Sequence, residues 1–281
     1  LNVKNDGETE VRNDQINVDL SGFAPNDFSI LDKDLLDPIF LVDQNLLPKS
    51  RDPDGQISEG TTTFVTIPPL SSGESFRARP VVGNTPFTFQ ANVCYPYQTR
   101  ATTKICVLSD LVNIDDNPLC NPNSGKTIFN SGSPVQVSNF KQHVVGYDRN
   151  DNTDVIRVSF DVSHRGQGDI YKVGDPGSEH SPGECPRSET SKRLQSEDIV
   201  HVTVNPRLQT GSVLRSVLCS LEDEHGEGDI RLIGGSRPVS CTLKLNTDRT
   251  SDFEAIFDIE LDFNYDQSIK TEVLVKHFGI N

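Results

Sequence analysis

Methionine and tryptophan are absent from this 281-residue chain, and basic residues are few. The 26 Lys and Arg residues stand against 41 Asp and Glu residues, which gives a formal charge of -15. Nucleic acids bind clustered Lys and Arg, so this balance disfavours a general polyanion-binding role, and we expect no nucleic-acid partner. The acidic residues are spread along the chain, which is typical of a well-solvated surface rather than of a site for a basic partner.

Long apolar runs are also missing. No segment approaches the ~18 to 20 apolar residues that a membrane-crossing helix needs, and the first residues are polar rather than the apolar centre of a signal peptide. Because the sequence begins at Leu1 and contains no Met, we expect that an initiator, and with it an export signal, has been removed or left out. The sequence therefore indicates a mature or trimmed chain without a membrane-spanning segment.

The cysteines lack the close Cys-x-x-Cys pairs that are typical of structural zinc sites. An even number without that spacing favours disulfides, which persist in oxidising compartments outside the cytoplasm. We therefore predict an extracellular or cell-surface protein. The six residues are Cys94, Cys106, Cys120, Cys185, Cys219 and Cys241.

Two disulfides are predicted from local spacing. Cys94 and Cys106 lie symmetrically about Arg100, so a hairpin that turns there would place the two thiols opposite each other. Cys219 and Cys241 fall near the ends of a predicted strand-turn-strand unit, where a bridge closing a loop of ~20 residues would stabilise the fold by roughly 3 kcal/mol. Both bridges would be structural.

The third pair is less constrained by spacing. Cys120 lies in a polar linker and Cys185 in a long loop, so a bridge between them would lock two domains together. Pairing of Cys106 with Cys120 is the competing arrangement, since connectivity does not follow from sequence alone.

Short segments that alternate apolar and polar residues dominate the chain, and no segment shows a sustained helical stripe with caps. Alternation lets each strand turn one face towards a core. Since the chain is too long for one sandwich of ~100 residues, the predicted fold is all-β, with two tandem immunoglobulin-like β-sandwiches and long loop insertions. Representative strand segments are Ile16–Leu20, Phe87–Val93, Val155–Val162 and Phe253–Phe263.

Polar stretches suggest the domain limits. The segment Leu108–Pro134 is rich in Asn, Asp, Pro, Ser and Gly and separates two strand-rich halves, which predicts domains at 1–124 and 125–281. A second irregular stretch, Gly166–Arg193, predicts a long surface loop inside the second domain. In the first domain, Asp34–Leu47 has enough Leu, Ile and Phe for a short helix within an insertion.

Eight segments have a recognisable pattern: Leu1–Gly7, Ile16–Gly22, Leu70–Ser75, Ala91–Ala101, Ile105–Val107, Leu218–Cys219, Asp229–Ile233 and Val239–Cys241. They resemble cell-adhesion-related (CARDB-type) Ig-like domains, in an arrangement similar to archaeal surface proteins with two such domains. The resemblance implies an extracellular adhesion or envelope protein of archaeal type, with no characteristic catalytic residue. The insertions Asp34–Ser58 and Gly166–Arg193 match nothing in that pattern.

One segment has the spacing of a calcium loop. Asp148, Asn150, Asn152 and Asp154 place oxygen-bearing side chains at alternate positions, as a loop that wraps Ca²⁺ does. Against calcium, Thr153 stands where such a loop has Gly, and a polar hairpin turn between two strands is the alternative. Calcium is the one cofactor candidate.

Catalytic motifs are not found. The His residues show no metal-protease spacing, and neither a nucleophile elbow nor a phosphate-binding loop is present, so we expect no enzymatic activity. The aromatic run Tyr95–Tyr97 indicates either packing within a hairpin or a carbohydrate or protein contact.

The start of the sequence suggests an assembly edge. Leu1, Asn2 and Val3 leave little room for the strand that normally opens such a domain, so we expect an open edge that accepts a strand from upstream sequence or a neighbouring subunit. This predicts a structural subunit of an extracellular filament, sheath or surface layer that associates with itself or with other surface proteins. The alternative is a surface adhesin or receptor module that binds glycan or protein through loops such as Gly166–Arg193.

Overall fold

The computed structural model describes residues 1–29, 42–68, 75–111, 118–174, 184–186, 190–208, 213–221 and 226–277. This part of the chain is mostly β, with one short α-helix, α1 (Thr190–Ser196), and 3-10 helices at Asn13–Gln15 and Pro25–Phe28. No described helix has the length and apolar character to cross a membrane. The strands are β1 (Asn2–Lys4), β2 (Asn17–Ser21), β3 (Ser50–Arg51), β4 (Ile57–Ser58), β5 (Thr62–Phe64), β6 (Thr85–Val107), β7 (Phe129–Asn130), β8 (Val135–Asp148), β9 (Thr153–His164), β10 (Asp169–Tyr171), β11 (Ile199–Pro206), β12 (Leu214–Cys219), β13 (Glu227–Arg231), β14 (Ser236–Asn246) and β15 (Phe253–Val275).

The chain forms two compact units that are discontinuous in sequence. The first comprises Leu1–Tyr97, Gly168–Arg193 and Asn264–Asn281, and the second comprises Gln98–Gln167 and Leu194–Phe263. They do not coincide with the expected halves 1–124 and 125–281. The reason is that β6 and β15, each of 23 residues, contribute to both units. The polar stretch Leu108–Pro134 lies inside the second unit rather than between two domains.

The second unit is sandwich-like. One antiparallel sheet has the order β12-β14-β9-β8, and a second set of strands joins β13 to β11 and β11 to β15. The alternation predicted for Val155–Val162 and Phe253–Phe263 turns one face of each strand inwards, so that Phe160 and Phe257 are almost completely buried. The rings of Phe140 and Phe257, one from each sheet, lie 5.3 Å apart. The core of this unit therefore lies between two β-layers.

The first unit combines a sheet with two short ribbons. β2 pairs with β6 from Asn17↔Cys94 to Ser21↔Gln90, and β10 pairs with β15 from Asp169↔Asp266 to Tyr171↔Asn264. β1 with β5 and β3 with β4 form separate two-stranded sheets. Aromatic rings pack together beside β6, with centroids 4.5 to 6.4 Å apart. Phe23, Phe28, Phe76, Phe87 and Phe89 form this cluster.

The predicted insertions are only partly visible. Residues 30–41 lie outside the described residues, so most of the expected helix Asp34–Leu47 does too, and the described residues 42–47 contain no helix. In the loop Gly166–Arg193, β10 and the first residues of α1 are described, whereas 175–183 and 187–189 are not. Most of the segment Leu70–Ser75 also lies outside the described residues.

Candidate functional site

All six cysteines form disulfides, but the pairing differs from the one expected in the first unit. Cys94 bonds to Cys185, and Cys106 bonds to Cys120. The prediction that Cys94 pairs with Cys106 is wrong because β6 runs through Arg100 without a turn. Along one extended strand these two cysteines are roughly 40 Å apart at ~3.3 Å per residue.

The remaining pairings follow from that arrangement. Since Cys185 bonds to Cys94, the predicted bridge between Cys120 and Cys185 is also wrong, and the competing pair Cys106–Cys120 is present, closing a separation of 14 residues. Cys219 and Cys241 are bonded and face each other directly across β12 and β14. None of the six cysteines therefore has a free thiol that could bind a metal or act as a nucleophile.

The segment with calcium-loop spacing is the turn between β8 and β9. Asp148 ends β8, and one of its carboxylate oxygens accepts the Asn150 N–H at 3.0 Å, while the other lies 3.5 Å from Lys244 Nζ. The Tyr147 hydroxyl donates to the side-chain oxygen of Asn152, which has a φ of +53°. The side-chain oxygens of Asp148 and Asn152 thus already have partners within the chain.

Asp154, the last residue of that spacing, faces away from the turn into the second unit. Its carboxylate accepts from the guanidinium of Arg249, and the two side chains are 7% and 2% exposed. Within the described residues, no three His, Cys, Asp or Glu side chains come together as a metal site would require. The arrangement is that of a polar hairpin turn whose last carboxylate is held by a buried Arg.

The aromatic run on β6 is engaged within the first unit. The ring of Tyr95 packs edge-on against Tyr97 and Tyr265, with centroids 6.0 and 6.1 Å apart, and its hydroxyl donates to Gln267 at 3.2 Å. The Tyr97 hydroxyl accepts the Thr9 N–H at 3.2 Å. Burial raises the pKa of both hydroxyls. These contacts match internal packing better than an aromatic platform for sugar.

One buried polar cluster lies on β11 and its two neighbours. The His201 side chain, 8% exposed, places Nδ1 2.8 Å from Asp229 and Nε2 3.2 Å from Glu227, so both ring nitrogens are occupied. In the β11–β15 register His201 lies opposite Asp262, whose carboxylate accepts from Gln98 at 2.9 Å. Burial raises the pKa of Asp262. Because every group here has a partner, the cluster ties strands together rather than presenting free catalytic groups.

The expected assembly edge at Leu1, Asn2 and Val3 is itself a strand. β1 pairs with β5 through Asn2↔Phe64 and Val3↔Thr63, and the Leu1 amino group donates to the Val65 carbonyl at 2.8 Å. No other described strand joins this two-stranded sheet. The backbone groups on one side of β1 are therefore paired within the chain. The opposite side, on which no described strand lies, is only three residues long.

Among the described strands, a longer open edge that was not predicted from the sequence occurs on β15. One side of β15 adjoins β6. The other side is covered by β11 at Phe257–Asp262 and by β10 at Asn264–Asp266. From Gln267 to Val275, no described strand lies on that outer side. We call Gln267–Val275 the β15 edge.

The inner side of the β15 edge is anchored at both ends. The contact between the Tyr95 hydroxyl and Gln267 lies at its start, and the His277 N–H donates to the Gly83 carbonyl at 3.2 Å just beyond its end. The side chains from Gln267 to Leu274 are exposed on both faces of the strand, whereas Ala255–Phe263 buries only every second side chain. The only sequence signal for this edge is the alternation of Ile269, Thr271 and Val273 with polar residues.

Another long edge strand, β8, is protected in two ways. Its pairing with β9 has register shifts between Ser138 and Lys141 and between Val144 and Gly146. The side-chain amide of Asn130 also occupies backbone groups of β8. It donates to the Val137 carbonyl at 2.9 Å and accepts the Val137 N–H at 2.8 Å. Bulges and caps of this kind prevent a further strand from adding. The β15 edge has no such cap among the described residues.

Comparisons with protein-family models, with curated proteins and with solved structures found no match for this chain. The structure itself shows a mostly-β protein with antiparallel sheets and three disulfides.

Proposed function

We propose that this protein is a structural subunit of an extracellular assembly, such as a filament, sheath or surface layer, and that it associates through open sheet edges. The observation that carries the proposal is the β15 edge. A strand with one free side presents a row of unpaired backbone N–H and C=O groups, which is a template for another strand.

Side-chain exposure on this edge supports association. Ile269, Val273 and Leu274 are 62%, 44% and 51% exposed, although they belong to an ordered strand. Pairing with another strand would remove apolar surface from water at roughly 25 cal/mol per Å² while satisfying the backbone groups. Both contributions favour a bound partner.

The disulfides support the extracellular location. Three disulfides and no free cysteine are characteristic of proteins that fold and work in oxidising surroundings. One of them fixes Cys185, and with it part of the long loop Gly166–Arg193, to β6. A loop tethered by a strand and a disulfide suits a building block better than a mobile binding loop.

We further propose that the chain contains immunoglobulin-like sandwiches of the CARDB type found in archaeal surface proteins. The two facing β-layers of the second unit support this assignment, as do the segments that carry the resemblance. An experimental structure of the oxidised chain would test it, since the strand order within each unit identifies or rejects that fold.

The association itself is tested with the oxidised, full chain at increasing concentration. Static light scattering would give the mass, and electron microscopy would show whether the particles repeat. We expect dimers or larger, regular assemblies. A monomer at every concentration would contradict the proposal, and a monomer that is retained on a glycan array would favour the adhesin instead.

A further inference from the structure

We propose that the partner of the β15 edge is a second copy of the same edge, paired antiparallel about a two-fold axis at Thr271. This inference rests on the proposed function, because it specifies the partner in an assembly. It is derived from the order of side chains along Gln267–Val275 and from the exposure of that segment.

The charges on the edge complement each other in this register. With Thr271 opposite its own copy, Lys270 of one chain lies opposite Glu272 of the other, and the reverse pair forms on the far side of the axis. Oppositely charged residues directly across two antiparallel strands attract, whereas like charges in that position repel. The two-fold axis therefore produces two favourable ion pairs from one Lys and one Glu.

The apolar residues are matched in the same register. Ile269 lies opposite Val273 of the second copy, on the same face of the new sheet, and this pair also occurs twice. Side chains directly opposite in an antiparallel pair approach within ~4.5 to 5.5 Å at Cβ, so two exposed β-branched residues would cover each other. Ser268 lies opposite Leu274 on the other face.

Neighbouring registers lack this complementarity. A shift that centres the axis on Lys270 places Lys270 opposite itself, and one that centres it on Glu272 places Glu272 opposite itself. A slip by one residue places Lys270 opposite Thr271 or opposite Val273, so the opposite charges are no longer paired. The charge pattern thus selects Thr271 as the centre.

Lys270 alone could be taken for a residue that guards the edge. A Lys on an exposed strand commonly prevents association because its charge is not matched in the approaching strand. In this segment Glu272 lies two residues further on and supplies the match when the approaching strand is the same sequence reversed. The charge of Lys270 therefore disfavours pairing with an unrelated apolar strand, whereas it favours pairing with a second copy of the edge.

The geometry limits what this contact can build. Extended residues rise ~3.3 Å each, so the paired segments would be about 30 Å long, comparable to a full strand in a sheet. A two-fold contact uses the same surface on both chains and closes at two copies. A filament or layer would need a second contact elsewhere on the protein.

Charge exchange on the edge tests this inference in the full chain. Lys270→Glu creates two Glu–Glu oppositions and Glu272→Lys creates two Lys–Lys oppositions, so each should weaken dimerisation roughly tenfold or more. The double variant K270E/E272K restores opposite charges, and so does an equimolar mixture of the two single variants. The matched control is Lys141→Glu, which makes the same charge change at an exposed residue of β8, outside the edge.

The readout is the dimer dissociation constant from sedimentation equilibrium, with circular dichroism to show that each variant is folded. Weakening by each single variant, recovery in the double variant and in the mixture, and a wild-type constant for K141E would support the pairing. If the wild type associates but the single variants associate equally well, this inference is overturned and the proposed function stands. If the folded wild type does not associate at all, the proposed function fails as well.

Discussion

Gln142 of β8 holds the backbone of Cys106 with both ends of its side-chain amide. Its Oε1 accepts the Cys106 N–H at 2.9 Å and its Nε2 donates to the Cys106 carbonyl at 2.6 Å, in a buried position. Because both backbone groups would lose their partner, we expect Gln142→Leu to lower the free energy of unfolding by about 2 to 4 kcal/mol in urea denaturation. The control is Gln136→Leu, a half-buried position on the same strand whose amide makes one hydrogen bond, to the Ser133 carbonyl at 3.4 Å, and an equal loss there would contradict the assignment.

A second prediction concerns the buried ion pair between Arg249 and Asp154. Arg249→Met leaves the Asp154 carboxylate without its cation in a site from which water is excluded, so we expect a loss of about 3 to 5 kcal/mol in the free energy of unfolding. Replacing both residues, as R249M/D154L, should recover part of that loss because no charge is then buried alone. A double variant no more stable than R249M would be inconsistent with this account.

The main features of the fold were predictable from composition and alternation. Strand segments such as Phe253–Phe263 alternate visibly, and an even set of cysteines without zinc spacing indicates disulfides. The length of β6 was not predicted, because the symmetric placement of Cys94 and Cys106 suggested a hairpin turn at Arg100. The segment Tyr97–Thr103 contains no Gly, Pro, Asn or Asp that would favour such a turn. The pairing error at Cys94 follows from that one strand, and the discontinuous units follow from β6 together with β15.

The disulfides differ in the chain length they enclose, and their removal should differ accordingly. Cys94–Cys185 spans 91 residues and Cys106–Cys120 spans 14. If the bridges act by restricting the unfolded chain, paired Cys→Ser replacement should cost about 4 to 5 kcal/mol for the first and about 3 kcal/mol for the second. Denaturation of the two double variants measures this.

Peptide mapping without reduction serves as the check on connectivity. A peptide that joins Cys94 to Cys106, or equal losses from the two double variants, would contradict the arrangement.

The pH dependence of stability should reflect Asp262. Burial raises the pKa of its carboxyl group in the folded chain, with the nearby Glu260 acting in the same direction and His201 and Arg100 opposing it. As pH rises from the ordinary carboxyl range through the raised value, the unfolded chain ionises first, so the folded chain loses stability. Asp262→Asn removes this loss. Urea denaturation across that range should show a flatter profile for the variant, and an unchanged slope would refute the assignment.

The candidate site was less predictable than the fold. The start of the sequence predicted an open edge at Leu1–Val3, a segment that pairs with β5 on one side. The β15 edge could not be recognised because openness depends on where β10 and β11 end along β15. That property belongs to the pairing of distant strands and has no local signature.

The most direct test of the central claim is disulfide trapping at the two-fold axis. All six native cysteines are bonded, so Thr271→Cys adds one free thiol, which would lie opposite its own copy at a Cα separation of ~4.5 to 5.5 Å. Ser268→Cys, on the same strand, is the control because its two copies would lie about 20 Å apart. Mild oxidation should give a covalent dimer of T271C and leave S268C monomeric. No dimer of T271C, or equal cross-linking of both variants, would contradict the claim.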